Sequence, residues 1–315
     1  MGGRATPYEP LPFQWQAVVL RDAPANHTMH HPTFTLFACL LLASASLTAQ
    51  SLAELSTDPA TLTEAFARGG IRPAAQAYTG EAAERPVSLE KLPKAPNIAV
   101  EQLWRDSARA LVAIEYANSI SAQDLYTFLD STEAGWRISA FRSFDLPSVY
   151  YQQLDRYRNQ GEASIRRNYN EKLKASMERG VTQAAHEGVH GTVEDRLFYV
   201  FNLRLVSSSD ADLARHFEFL RARFDETRVS LSAKPTKLLA YEHDDADLGD
   251  ELRYLLVKRA YHPERGPLRF ELASIDGHDV GYLYCTDPTC MPTPTPGGVI
   301  ALRALGDGWW IYRTI

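Results

Sequence analysis

The spacing of hydrophobic and polar positions changes several times along the chain, and each change marks an expected element. Asp58-Pro59 supplies a cap residue and a proline at the first helical position, and Leu62, Ala65 and Phe66 follow at helical spacing up to Gly69-Gly70. This predicts a short amphipathic helix. After a stretch rich in Pro, Ala and Glu, strand-like segments take over at 98–105, 108–116, 123–130 and 136–144. Asn118-Ser119 and Glu133-Ala134-Gly135 mark turns between them. The first half therefore reads as one helix packed on an antiparallel meander.

From Val149 the period is helical again. Tyr150, Leu154 and Tyr157 form one stripe, and Ile165, Tyr169, Leu173 and Met177 form a second at four-residue spacing. Residues 180–192 are less regular, and the apolar run from Leu197 to Val206 fits a strand or a short helix. Ser209 with Asp212 three residues on resembles a capping box, and Leu213, Phe217, Leu220 and Phe224 make a clean helical stripe. Strands are expected at 237–243, 252–260, 268–275, 280–285, 299–305 and 309–314, with Asp276-Gly277 as a hairpin turn.

The halves end alike, in Gly135-Trp136-Arg137-Ile138 and Gly308-Trp309-Trp310-Ile311. Each is a turn glycine leading an aromatic and β-branched strand, which suggests a duplication. The plainer reading is that Gly-Trp-x-Ile is a common entry to the edge of any antiparallel sheet. The expected fold class is α+β: two related modules, each a helix packed on a curved antiparallel sheet, joined by a helical connector. The first module spans 50–148, the connector 149–206 and the second module 207–315.

One apolar run has no amphipathic period. The segment from Phe34 to Ala45 carries no charge and is shorter than the roughly 20 residues a membrane-spanning helix needs. It reads as the core of a signal peptide, residues 29–49, beginning at Met29. Ala43-Ser44-Ala45 and Leu47-Thr48-Ala49 place cleavage before Ser46 or Gln50. Residues 1–28 then form an upstream extension outside the fold. Met29-His30-His31-Pro32 lacks the usual basic residue, and the alternative is a buried helix of a cytosolic protein. Export implies a periplasmic or secreted protein with no stable membrane span once the signal is removed. The mature chain would keep Cys285 and Cys290, which an oxidising compartment joins as a disulfide across a turn holding Asp287 and Pro288.

At 315 residues, with 45% hydrophobic and 23% charged positions, the chain is long and apolar enough for two folded domains. A net charge of −6 leaves no basic surplus to displace counterions from phosphates, which argues against a nucleic-acid partner. The sequence has no Gly-x-Ser-x-Gly elbow, phosphate-binding glycine loop or dinucleotide fingerprint.

A helix, then a meander, then a closing strand of the type Asp307-Gly308-Trp309-Trp310-Ile311 resembles modules of the NTF2-like and cystatin-like kind, in which a helix lies in a curved antiparallel sheet. The stretch Trp136-Arg137-Ile138-Ser139-Ala140-Phe141-Arg142 and the Gly-Trp-Trp-Ile-Tyr ending also resemble a group of uncharacterised exported bacterial proteins, over roughly residues 50–315. That resemblance implies the fold and export. It carries over no activity and no catalytic residue.

The sharpest chemical signal is His186-Glu187-Gly188-Val189-His190, which matches the H-E-x-x-H pattern of zinc peptidases. On a helix, His186 and His190 face the same way and can both bind Zn²⁺, with Glu187 as general base on the metal-bound water. A third ligand must come from elsewhere, and Glu194, Asp210 and Glu218 are candidates. Gly188 and Gly191 weaken the helix by about 1 kcal/mol each. The run from Glu242 to Asp250 is dense in oxygen ligands but misses the calcium-loop spacing and reads as a solvated acidic loop. Trp104, Tyr116, Tyr126, Phe128, Trp136 and Phe141 are either core or the lining of a ligand pocket. The functional expectation is a non-catalytic exported protein that needs no cofactor and binds a partner protein or small-molecule ligand in the concave face of a sheet, through its NTF2-like/cystatin-like modules. The alternative is a zinc-dependent metallopeptidase.

Overall fold

The computed structural model describes residues 56–68, 75–85, 98–117, 122–144, 146–232, 239–240, 246–263 and 266–315. The expected leader and upstream extension, the Asn118-Ser119 turn and Glu242 to Asp245 lie outside the described residues. The chain is α+β, with two antiparallel sheets and helices. It divides into two compact units. Among the described residues, one unit holds 56–143 with Pro294–Pro296 and the other holds Phe144–Thr293 with Gly297–Ile315.

In the first unit, α1 (Pro59–Ala67) starts where the sequence sets it: the Asp58 carboxylate accepts from the Thr61 backbone N–H at 2.9 Å, which satisfies one of the orphan donors of the first turn. A short helix α2 (Gly80–Glu84) precedes the sheet. The strands β1 (Ile98–Arg105), β2 (Arg109–Ala117), β3 (Ala122–Thr132) and β4 (Gly135–Ser143) pair in chain order as a meander. Leu62 and Phe66 of α1 form a core with Ala110, Val112, Ile114, Leu129 and Ile138, contributed by one face of the sheet.

The second unit begins with four helices, α3 (Ser148–Tyr157), α4 (Glu162–Glu178), α5 (Gln183–His190) and α6 (Val193–Val206). The long helix α7 (Asp210–Ser232) follows. Next come β5 (Leu239–Ala240), α8 (Ala246–Tyr254), β6 (Arg259–Tyr261), β7 (Leu268–Ile275), β8 (His278–Tyr284), β9 (Val299–Gly306) and β10 (Trp309–Thr314). The strand order is β5-β6-β7-β8-β10-β9, so the last strand inserts between β8 and β9. Phe217 and Phe224 of α7 pack against Tyr282 and Trp309, with ring centroids 5.0 to 5.8 Å apart.

Three sequence readings are resolved or changed. The run 197–206 is helical: Thr192 and Asp195 form a complete capping box at the start of α6, and seven apolar side chains from Leu197 to Val206 are buried around the helix. The irregular stretch 180–192 contains α5, capped by Thr182. The strand expected at 252–260 is instead the end of α8 followed by a turn, with only Arg259 and Ala260 in a strand, β6. Leu256 takes φ 56° there, and the Val257 N–H returns to Leu252 O at 2.8 Å. This is a left-handed helix cap built on leucine rather than glycine. The side-chain amide of Asn202 donates to Leu256 O at 2.7 Å and to Leu272 O at 2.9 Å, tying the turn to β7.

Candidate functional site

The second unit contains a cleft of about 750 Å³ between α3, α4, α5 and the start of α6. Its apolar wall comes from the α3 and α4 stripes: Tyr157, Ile165 and Tyr169 are all buried. The stripe on α4 does not run on as its spacing implies. Met177 is 54% exposed, and the buried face passes from Tyr169 to Ser176. A hydroxyl is thereby placed in the cleft wall where the pattern suggested a thioether.

Ser176 holds His186, which is 3% exposed. The two side chains meet at 3.0 Å through Nδ1. Arg179 Nη2 donates to the same Ser176 oxygen at 3.4 Å. We assign the Nδ1 lone pair as acceptor of the Ser176 hydroxyl proton, which leaves Nε2 carrying the ring proton. That buried Nε2 has no hydrogen-bond partner. The Tyr169 ring meets His186 edge-on at 5.5 Å, and the Tyr169 hydroxyl donates to Gly191 O at 2.8 Å, which fixes α5 against α4. Burial, and secondarily the Glu187 carboxylate, push the Tyr169 hydroxyl up, so it stays a neutral donor.

The cleft is rich in positive charge. Arg156, Lys172, Arg179 and Arg196 line it against a single carboxylate, Glu171. The ion pairs among the described residues include none of these five side chains. Arg196 is fixed by aromatics instead: its guanidinium lies 4.9 Å over the Tyr157 ring and 5.6 Å over the Tyr199 ring, and it donates to the Tyr157 hydroxyl. A further cation, Arg204, is bonded to the backbone of two lining residues, donating to Tyr157 O and, at 2.7 Å, to Gln160 O. Its Nε and Nη1 are buried without partners, and burial pushes its pKa down.

The H-E-x-x-H segment does form a helix, and it brings the two histidines together, with ring centroids 4.7 Å apart. Their surroundings differ, because His186 is buried and His190 is exposed. Glu187 accepts from Gln183 one turn back at 2.8 Å. The proposed third ligands are engaged elsewhere: Glu194 pairs with Arg166 at 3.0 Å, Glu218 with Arg221 at 2.8 Å and Asp210 with Arg313 at 2.9 Å. Among the described residues no group of three His, Cys, Asp or Glu side chains is placed to hold a metal. A zinc-bound histidine offers a lone pair to the metal and donates its other N–H to an outer partner, which His186 would do only as the Nδ1–H tautomer, donating to Ser176.

Cys285 and Cys290 form a disulfide, with Cα atoms 6.3 Å apart. The first-half aromatics are packing residues: Trp136 belongs to the core of the first unit, Phe141 packs on it with its ring 4.8 Å from Phe66, and Tyr126 and Phe128 are buried. Trp104 is half-buried and carries the Arg109 guanidinium 5.7 Å over its ring. The Tyr116 side chain lies outside the described residues.

Sequence reasoning missed the cationic lining because its members are scattered over α3, α4 and α6 at no common spacing. The only linear trace was the Tyr157 and Ile165–Tyr169 stripes, which read as core. No helix among the described residues is long and apolar enough to cross a membrane. No protein-family model matches the chain, and neither a curated protein nor a solved structure matches it.

Proposed function

We propose that this is an exported, non-catalytic binding protein that holds a small ligand in the helical cleft of its second unit. The observation that carries this reading is the cleft itself. Its volume of about 750 Å³ falls in the range of small-molecule sites, and it pairs an apolar wall with cationic side chains and one buried ring nitrogen, His186 Nε2, that lacks a protein partner. A buried polar atom left without a partner is costly, at about 1–3 kcal/mol, and a ligand that pairs with it recovers that cost. The candidate general base Glu187 is engaged with Gln183 on its own helix, which favours binding over turnover.

Export rests on the apolar segment from Phe34 to Ala45 and is supported by the Cys285–Cys290 disulfide, since disulfides persist in oxidising compartments. The two units are proposed to be related modules of the helix-on-sheet kind. What supports this is the recurrence of a turn glycine before Trp136 and Trp309 at positive φ, 97° at Gly135 and 84° at Gly308.

The test is a thermal-shift screen of purified protein against a panel of small neutral, cationic and anionic organic compounds at fixed ionic strength. At least one charge class is expected to raise Tm in a concentration-dependent way. A flat response across all three classes overturns the binding reading.

A further inference from the structure

We propose that the cleft is selective for small organic anions, meaning compounds that join a carboxylate or phosphate to an apolar body. This rests on the binding reading above and names its ligand class. Three observations converge on it.

The first is charge. The chain as a whole is net negative at −6, yet this cleft is lined by four permanent cations and one carboxylate. Clefts with walls of low dielectric focus such a field on whatever enters them. Arg156 and Arg179 stand at the C-terminal ends of their helices, where the helix dipole favours a cation whatever binds nearby. Lys172 and Arg196 have no such explanation. Lys172 is within α4, and Arg196 is in the first turns of α6, where the dipole opposes a positive charge. Neither forms an ion pair among the described residues.

The second observation is a built donor. His186 is buried in the cleft wall and held through Nδ1 by Ser176, its Nε2 has no hydrogen-bond partner, and in the tautomer assigned above that nitrogen carries the ring proton. In that tautomer the unmet group is a donor, which an anionic oxygen would satisfy and a ligand ammonium would not. Arg204 repeats the pattern behind the wall, buried and with Nε and Nη1 unpartnered.

The third is the apolar body the cleft accommodates. Tyr157, Ile165 and Tyr169 give it one non-polar side, and the hydroxyls of both tyrosines are already satisfied by Arg196 and Gly191. Tyr169 has spent its proton on Gly191 O, whereas the Tyr157 hydroxyl accepts from Arg196 and keeps its own proton to donate. A bare inorganic ion would leave that side unfilled.

The experiment uses four probes with the same ring and different charge: phenyl phosphate, benzoate, benzyl alcohol and benzylammonium. Binding is measured by calorimetry on the full chain at constant ionic strength, with inorganic phosphate as a fifth arm. Phenyl phosphate or benzoate is expected to bind at least about tenfold more tightly than the alcohol, with benzylammonium weakest. Which of the two anions leads decides between phosphate and carboxylate chemistry. Lys172→Gln, at an exposed position that leaves the fold intact, is expected to weaken the anion about fivefold to tenfold. Arg196→Gln is expected to do the same or more. His186 Nε2–H, followed by nitrogen NMR, is expected to shift on addition of the anion.

Preference for benzyl alcohol or benzylammonium overturns the anion proposal while leaving the binding reading standing. Anion binding that neither Lys172→Gln nor Arg196→Gln weakens overturns it too, because the anion then sits elsewhere. Inorganic phosphate binding as tightly as phenyl phosphate removes the organic half of the claim. If none of the probes binds, the proposal fails together with the reading beneath it.

Discussion

Asp210 and Arg313 form a buried ion pair that joins the start of α7 to the last strand. Arg313 Nε donates to Asp210 Oδ1 at 2.9 Å, and the same guanidinium donates to Ser208 O at 2.8 Å and Val206 O at 3.4 Å. Asp210 is 0% exposed, and the N-terminal end of a helix is where a carboxylate is favoured. Arg303 lies 3.9 Å from the other Asp210 oxygen, so removing Asp210 takes the carboxylate from two largely buried cations. Asp210→Ala is expected to cost about 3–5 kcal/mol, read as a lowered urea midpoint. The double variant Asp210→Leu with Arg313→Met is expected to recover much of that loss. An unchanged midpoint in the single variant refutes the role assigned to the pair.

A second prediction concerns acid. His216 on α7 is fully enclosed, and burial pushes its pKa down from 6.5 to about 3. Tyr282 donates its proton to Leu213 O at 2.9 Å, so His216 Nδ1 donates to the Tyr282 oxygen at 2.8 Å and the imidazole is neutral when folded. The unfolded chain takes up a proton below about pH 6.5 and the folded one does not. Stability from this residue is therefore complete above pH 6.5 and falls as pH drops toward about 3. The slope is about 1.4 kcal/mol per pH unit. Urea titrations at pH 7, 5 and 4 are expected to show a shallower decline in His216→Leu than in the parent. Parallel declines sink this account.

A third prediction separates backbone strain from crowding. Gly135 and Gly277 both adopt positive φ, 97° and 87°. A Cβ on Gly277 meets nothing within 4 Å, whereas one on Gly135 lies 2.6 Å from Ser56 Oγ and 2.7 Å from Ser56 O. Gly277→Ala is expected to cost about 1 kcal/mol from the left-handed conformation alone. Gly135→Ala adds overpacking and is expected to cost about 3 kcal/mol. Equal losses in thermal unfolding contradict this.

A fourth prediction addresses zinc. With His186 assigned as Nε2–H and no third donor placed among the described residues, elemental analysis of the purified chain is expected to find well under one zinc per molecule. Glu187→Gln is expected to leave any peptidase background unchanged. Stoichiometric zinc, with turnover lost in that variant, restores the metallopeptidase.

The Cys285–Cys290 crosslink closes a short loop with a sequence separation of 5. A loop of that size contributes about 2 kcal/mol by the chain-entropy estimate. Reduction is expected to lower Tm by several degrees without unfolding the protein at 25 °C. Loss of the folded state on reduction shows that the loop holds more of the structure than this.

How much was legible in advance depends on whether the cause is local. Asp58-Pro59 before an apolar stripe, the β-rich apolar runs of β2 and β3, the α7 stripe from Leu213 to Phe224 and the Asp276-Gly277 hairpin are all set by neighbours within a few residues, and each was readable from sequence. The 252–260 segment was not. Its end at Leu256 needs a left-handed leucine that intrinsic preference disfavours, held by burial and by Asn202 from more than fifty residues away. The α6 run was ambiguous by its apolar content alone, although its Thr192 and Asp195 capping box was a local signal that favoured helix.

The sequence by itself determined the α+β class, the elements carrying their own caps or periods, and the cysteine pair. Periodicity and capping act over a few residues and need no knowledge of the rest of the chain. Only the tertiary structure decided that the last strand enters the sheet between β8 and β9. Only it gathered Lys172, Arg196 and His186 from three helices around one cleft, because which buried donors lack a partner depends on groups distant in the chain that packing brings alongside.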